Sequence, residues 1–380
     1  MGAILIYPIF ITFLLGLSFP LSYYFDLNLV TVDVFLLFLL HLLGYLIGGL
    51  FLWFSLHSLK KSRGMSVGVP LRYSIHLSLF VGILFIIYAY YQMGGVPALA
   101  ENAENARVEM KQGVGKYIIF GVGFIYVSMS YLSSMFFARG GYARWVLLPI
   151  VWFVVSLLLM GIGYRSLFFF LLVHVALFSL ICREKFNFRS LVNGKLLVGG
   201  AVLFLLMSLV GYARYKSGAE GFGMLSLFWP LIVYGGNIES VFELVGKQGF
   251  SYGSSFISDM ISPIFGDGKF TGHQIKEILG LKFDGEGVSI TIIGEAYLNF
   301  GLTGVFLSGF LIGAIILFVS RFVFSHGYLY RMFFVIVVVF VIRIITSGVA
   351  PIFWFYFIPV VTAYLFVLSG ALLEKKLIMK

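Results

Sequence analysis

Charge is what this chain has least of. Asp, Glu, Lys and Arg supply 11% of its 380 residues, where a water-facing domain carries about 25%. So little charge cannot cover a solvated surface, and a soluble globular enzyme is excluded. Cysteine is nearly absent. Cys182 stands alone, so no intramolecular disulfide can form and the redox compartment is unmarked. Its place at the end of an apolar run reads as small-residue packing. No pair of histidines has metal-ligand spacing, and no Asp-rich run suggests a divalent ion. A Walker A sequence is missing, as is any other phosphate-cradling glycine loop, which argues against an ATP-driven machine. The sequence calls for no cofactor. The N-terminus has neither a basic stretch before its apolar run nor a small-residue cleavage site, so residues 3–19 read as a retained span.

What the chain has instead is 61% hydrophobic residues, with 43 Phe and 22 Tyr and a mean hydropathy of +1.03. Such aromatics suit lipid contact and interfacial belts. Taking about 20 mostly apolar residues per crossing, the sequence predicts ten spans, at roughly 3–19, 33–56, 73–91, 117–137, 145–162, 167–182, 195–211, 304–323, 332–350 and 352–373. The fold class expected is an all-α polytopic membrane protein. It divides into an N-terminal bundle of about seven spans at 1–211, a large outer loop with short helices at 212–290, and a C-terminal half-helix with three spans at 291–380.

The formal charge of +10 raises the question of nucleic acid, and its placement answers in favour of a membrane. With both termini inside, the inner segments hold fifteen Lys and Arg against Glu184 and Glu374, and the outer segments hold ten against thirteen acidic residues. That is the positive-inside bias. In the outer segments, 101–111 suggests a short amphipathic helix, and 221–235, apolar but interrupted by Pro230, suggests an interfacial or re-entrant piece. Residues 288–323 make a run of 36 with little charge. One helix of that length would reach about 54 Å, against a hydrocarbon core of about 30 Å. A break at Gly301–Gly304 is therefore expected, with a half-helix at 288–300. Non-helical backbone at such depth occurs only where protein or a water-filled cavity covers it, so the break marks a candidate site.

Few residues in such a chain can carry chemistry. Arg343 lies twelve residues past Arg331, about 18 Å into its span. A buried arginine usually marks a ligand or ion path; a structural carboxylate pair or snorkelling is the plainer reading. Arg165, in Gly163-Tyr164-Arg165-Ser166, and Arg214 close two other spans on the same outer side. Each alone suits an interface anchor. Together the three guanidinium forks suit phosphate oxygens. Thr291, Glu295 and Asn299 share one helix face. Glu295 is a candidate general base, or half of a Glu–Arg pair within the bundle. His273 in the outer loop is the other base candidate, or an ordinary surface residue. His41, His76 and His174 lie singly on apolar spans and read as packed or hydrogen-bonded. Gly44-x-x-x-Gly48 and Gly309-x-x-x-Gly313 suit close helix packing.

The stretch Ile293-Gly-Glu-Ala-Tyr-Leu-Asn-Phe-Gly-Leu-Thr-Gly304 resembles the Wzy-type oligosaccharide repeat-unit polymerases, the O-antigen and capsule polymerases. Gly163-Tyr-Arg-Ser closing a middle span, followed by a large outer loop, is similar to the same plan across most of the chain. The resemblance implies a multi-span glycosyltransferase of GT-C-like architecture in the bacterial inner membrane. It would move a growing glycan from undecaprenyl diphosphate onto a new lipid-linked unit at the periplasmic face, without a metal or other cofactor. Glu295 and His273 would be catalytic. Arg165, Arg214 and Arg343 would hold the diphosphate, with Tyr164, Tyr297 and Asn299 in support. The implied partners are the lipid-linked oligosaccharide as donor and acceptor, membrane lipid and a chain-length regulator, with no nucleic acid. An O-antigen ligase shares this architecture. A lipid-linked oligosaccharide flippase would show charges along a cavity reachable from both sides, whereas here they gather on the outer side.

The charge split has a direct check. In a Cys182→Ser background, Lys60→Cys and Lys269→Cys should react with an impermeant thiol reagent from opposite faces of the membrane. Labelling of both from one face would contradict the topology.

Overall fold

The computed structural model describes residues 6–24, 30–55, 72–100, 106, 109–110, 113–139, 146–182, 225–265, 270–280, 288–326 and 328–378. Among them there is no strand, and nearly everything is helix. The first apolar run makes α1 (Ile6–Ile11), a π-helical turn (Thr12–Gly16) and α2 (Ser18–Tyr24). Then come α3 (Val32–Ser55), α4 (Arg72–Gln92), α5 (Gly115–Arg139), α6 (Leu148–Gly161) and α7 (Arg165–Cys182). The region expected as the large loop supplies α8 (Leu225–Gln248), α9 (Ser254–Phe265) and α10 (Thr271–Ile278). The C-terminal part holds α11 (Ile292–His326), α12 (Tyr328–Ser347), α13 (Val349–Ile352), a π-helical segment (Phe353–Phe357) and α14 (Ile358–Ile378).

Six stretches are helical, long and apolar enough to cross a membrane: Val32–Trp53, Tyr73–Gln92, Gly115–Met135, Ile292–Arg321, Tyr330–Ser347 and Val349–Glu374. This is a polytopic membrane protein by length and composition of its helices. Of the remaining predicted spans, 3–19 is divided by its π-turn, while α6 and α7 are apolar but shorter. Residues 195–211, and nearly all of the amphipathic stretch at 101–111, lie outside the described residues. Pro230 does not interrupt its segment as expected. The helix α8 begins at Leu225 and runs through it, although a proline past the first turn forfeits an intrahelical bond.

The bundle centres on α5, whose residues 121–133 are all buried, and which packs against α4, α7 and α14. Three contacts gather the helix ends at one pole. Arg321 stacks on Trp53 at 4.8 Å, Arg331 Nη1 donates to Ile181 O at 3.2 Å, and Glu374 Oε1 accepts the Ser74 N–H at 2.9 Å. The opposite pole carries α8–α10 and the start of α11, tied to the start of α3 where Thr31 N–H donates to Glu239 Oε1 at 2.7 Å.

The closest packing is between α3 and α11, and the two glycine pairs seen in the sequence create it by facing each other. An added Cβ would fall 2.2 Å from Phe306 O at Gly44, 2.0 Å from Phe310 O at Gly48, 2.0 Å from His41 O at Gly309 and 2.1 Å from Tyr45 O at Gly313. Each backbone therefore lies against the other with no side chain between. Where polar groups are few, such seams drive helix association by contact alone.

Gly309→Ala should separate the two helices, at a cost of about 1–3 kcal/mol, read as a lower unfolding temperature in detergent. Gly246→Ala is the control with opposite sign. On α8 its new methyl meets nothing within 4 Å, and alanine favours helix over glycine by up to about 1 kcal/mol, so the unfolding temperature should hold or rise.

Candidate functional site

The break expected in the long apolar run is present. Inside α11, Phe300 (φ −139°, ψ 15°) and Gly301 (φ 61°, ψ −146°) leave helical geometry; at φ 61° only glycine is comfortable. Ahead of the break, Thr291 Oγ1 accepts the Gly294 N–H at 3.0 Å and starts the helix. The face Thr291, Glu295 and Asn299 is fully inside the protein. At its end the carbonyls of Leu298 and Asn299 accept the N–H groups of Ser251 (2.9 Å) and Tyr252 (3.1 Å). The Asn299 side chain completes the joint. Its Oδ1 accepts the Gly253 N–H at 2.9 Å, its Nδ2 donates to Ser255 Oγ at 2.7 Å and to Glu295 O at 2.8 Å. Asn299 thereby docks residues 251–255 onto the end of the half-helix.

Glu295 spans to a second irregularity. Its Oε2 accepts the N–H of Val349 at 2.7 Å, the first residue after Gly348, which sits at φ 77°. Gly348 admits no side chain, because a Cβ would fall 3.0 Å from both Glu295 Oε2 and Ile290 O. Glu295 Oε1 has no hydrogen-bond partner among the described residues. A carboxylate fixed by one oxygen with the other free is in a position to accept a proton from a bound hydroxyl.

Asp259, on α9, is the residue that sequence reasoning missed. It is 3% exposed and near enough to Glu295 for their charges to interact. Its Oδ1 accepts both the N–H (2.7 Å) and the Oγ1–H (2.8 Å) of Thr271. Burial pushes the Asp259 carboxyl above its usual range, and the two Thr271 hydrogen bonds oppose that shift. The available signal was the spacing of Ser255, Asp259 and Ser262 on one face of α9.

Arg343 lies on α12, five residues before Gly348, about 8 Å along the helix axis. It is partly exposed. Its guanidinium is held between the rings of Phe170 (4.8 Å) and Tyr356 (5.0 Å). Tyr356 Oη is bonded to His174 Nε2 and lies 3.3 Å from Ile336 O. The alternative of a Glu295–Arg343 pair is not realised, and among the described residues no carboxylate lies within ion-pair distance of Arg343. Stacked aromatics hold a guanidinium while leaving its in-plane donors free.

The other predicted residues are distributed as follows. Tyr164 and Tyr297 pack half-buried against the core, Tyr297 edge-on to Phe242 at 4.8 Å and Phe250 at 5.9 Å. His273 closes the start of α10, where its Nδ1 accepts the Phe270 N–H at 3.1 Å. It stands two residues from the Thr271 that binds Asp259, but is not in contact with Glu295. Arg165 opens α7 after the turn at Gly163 (φ 84°), with its side chain outside the described residues, as is all of Arg214. His41 is packed and bonded to Tyr7 Oη (2.7 Å) and Ser308 Oγ (2.9 Å), and His174 is buried. Comparison with protein-family models, with curated proteins and with solved structures finds no match to this chain.

Asp259→Asn separates stability from function. A carboxyl whose folded value is raised favours folding below its ordinary value of 3.8, and that contribution is lost as pH rises through the folded value. The raised value therefore counts against folding at neutral pH, and asparagine retains the acceptor for Thr271. The variant should unfold at a higher temperature than the parent at pH 7, with the difference shrinking below pH 4. An unchanged or lower temperature at pH 7 would contradict the burial argument.

Proposed function

We propose that this protein is a glycosyltransferase of the Wzy type, polymerising undecaprenyl-diphosphate-linked oligosaccharide units at the periplasmic face of the bacterial inner membrane. The observation that carries the reading is Arg343: a cation inside a span, clamped by Phe170 and Tyr356, with no acidic partner among the described residues. Such a charge is expensive in hydrocarbon without a counter-ion, and a lipid diphosphate supplies one. Glu295 adds a carboxylate at the same pole with one oxygen free. In this reading the acceptor sugar hydroxyl attacks the anomeric carbon of the donor chain while Glu295 takes its proton. The bond from that carbon to the diphosphate oxygen breaks, and undecaprenyl diphosphate leaves with its charge met by Arg343, joined by Arg165 and Arg214. His273 is the second candidate base. The proposal includes ten spans, a GT-C-like plan, both termini in the cytoplasm and a chain-length regulator as partner.

The test is a glycolipid ladder from cells carrying each variant, with a membrane-protein blot. Losing one charge-assisted donor to a developing anion costs about 2.7–4 kcal/mol, or 10²–10³ in rate. Arg343→Ala should abolish long chains while single-unit glycolipid and protein level persist. Arg343→Lys should rescue poorly, since an ammonium lacks the planar fork, and Glu295→Gln should also remove the ladder. Full ladders from Arg343→Ala and Glu295→Gln would refute the assignment. Loss of the protein itself would favour a structural role for both.

A further inference from the structure

The helix α9 is built inside out. In water a surface helix buries its apolar stripe and exposes its polar one. Here Ser255, Asp259 and Ser262, at spacing i, i+4, i+7, are buried, while Ile257 (63%), Ile261 (46%) and Ile264 (56%) are exposed at the same spacing. The buried polar face has its reasons: Ser255 bonds Asn299 and Asp259 bonds Thr271. Nothing on the inner side accounts for three isoleucines facing outward. The only charged residue of α9 is Asp259, which faces inward.

The neighbouring helices of the same region behave in the ordinary way. At the end of α8, Glu243 and Lys247 are exposed and paired at 2.7 Å. The helix α10 exposes Gln274 and Glu277 and buries Ile275. Water therefore suits the end of α8 and the Gln274–Glu277 side of α10 and does not suit the surface of α9. The outward face of α9 is also continuous with a lipid-facing one. It follows directly from Gly253, which packs on the Phe300 ring, and Phe300, Leu302, Leu307 and Leu311 are exposed down the span of α11.

We infer that α9 lies in the bilayer, at the level of the interface, with its isoleucine face against lipid and its polar face closing the side of the Glu295 site. The occupant of that face is the membrane itself. An apolar stripe of this kind immersed at the headgroup boundary is the ordinary mode of interfacial helices; the buried Ser255 and Asp259 are bonded on the protein side, and the exposed hydroxyls of Ser254 and Ser258 lie where headgroups and water can meet them. The outer region is then of two kinds: the end of α8 and the polar face of α10 in water, α9 in lipid. The site has a wall on the membrane side that is one helix thick. This inference does not depend on the chemistry performed there.

The test uses the full chain in liposomes of phosphatidylethanolamine and phosphatidylglycerol. Single nitroxide labels are placed at Ile257→Cys, Ile261→Cys and Ile264→Cys, and as controls at Glu243→Cys and Glu277→Cys, all in a Cys182→Ser background. Power saturation compares collision with oxygen, which concentrates in lipid, and with a nickel chelate, which stays in water. The three α9 labels should favour oxygen severalfold and the controls should favour nickel. Labels on α9 that follow the controls would overturn the inference in favour of a water-facing helix. Labels shielded from both probes would overturn it in favour of a protein cover, a second copy included. An apolar diazirine dissolved in the bilayer gives the same answer on the unmodified chain. Insertion into the 254–265 peptide is expected, and insertion into α3 without insertion there would overturn it.

Discussion

Where α11 breaks at Phe300 and Gly301, its last carbonyls lose their intrahelical donors at a level where water is scarce. Unsatisfied backbone groups in such surroundings cost several kcal/mol each, so the break exists only because something repairs it. The repair comes from residues 251–253, whose N–H groups point at Leu298 O, Asn299 O and Asn299 Oδ1. To deliver them the chain turns through Gly249, Tyr252 and Gly253, all at positive φ, and Tyr252 accepts a conformation that a side chain disfavours. The region of α9 is thereby fastened to the half-helix at this joint, and the position of α9 with Asp259 follows from where the joint leaves the chain.

A second interruption mirrors the first. Gly348 ends α12 as Gly301 ends the half-helix, and the carboxylate of Glu295 joins the two by accepting the first N–H beyond Gly348. The π-helical segment that follows rotates the side chains from their α-helical positions, a distortion often found at functional positions, and puts Tyr356 against Arg343. Arg343 and Glu295 thus owe their placement to irregular backbone on two successive helices.

Much of this was legible in the sequence. The break could be located because a run of 36 residues with little charge overruns a bilayer and Gly301 lies within it. The shared face of Glu295 and Asn299 followed from spacing alone. The glycine pairs announced close packing but not that each was the other's partner, since 264 residues separate Gly44 from the carbonyl-bearing helix around Ser308 as they separate His41 from Val305. Asp259 could not be recognised. A polar stripe of Ser, Asp and Ser on an otherwise apolar helix reads as the side facing water, and only the position of Asn299 and Thr271 shows that it faces in. The aromatic clamp on Arg343 was hidden for a similar reason, as Phe170 comes from α7. Pro230 carried a true local penalty that the surrounding helix absorbs.

The seam between α3 and α11 has a mechanical consequence. Side-chain interfaces can yield by changing rotamers, but a joint made of glycines against carbonyls has none to change. Over these turns the two helices therefore move together as one spar. The same helix that forms half of this spar is interrupted at Gly301, where the backbone is at its most permissive. The seam therefore ends short of the break, and Glu295 lies beyond it, held instead through Val349 and through the bonds that fasten residues 251–253 to the half-helix.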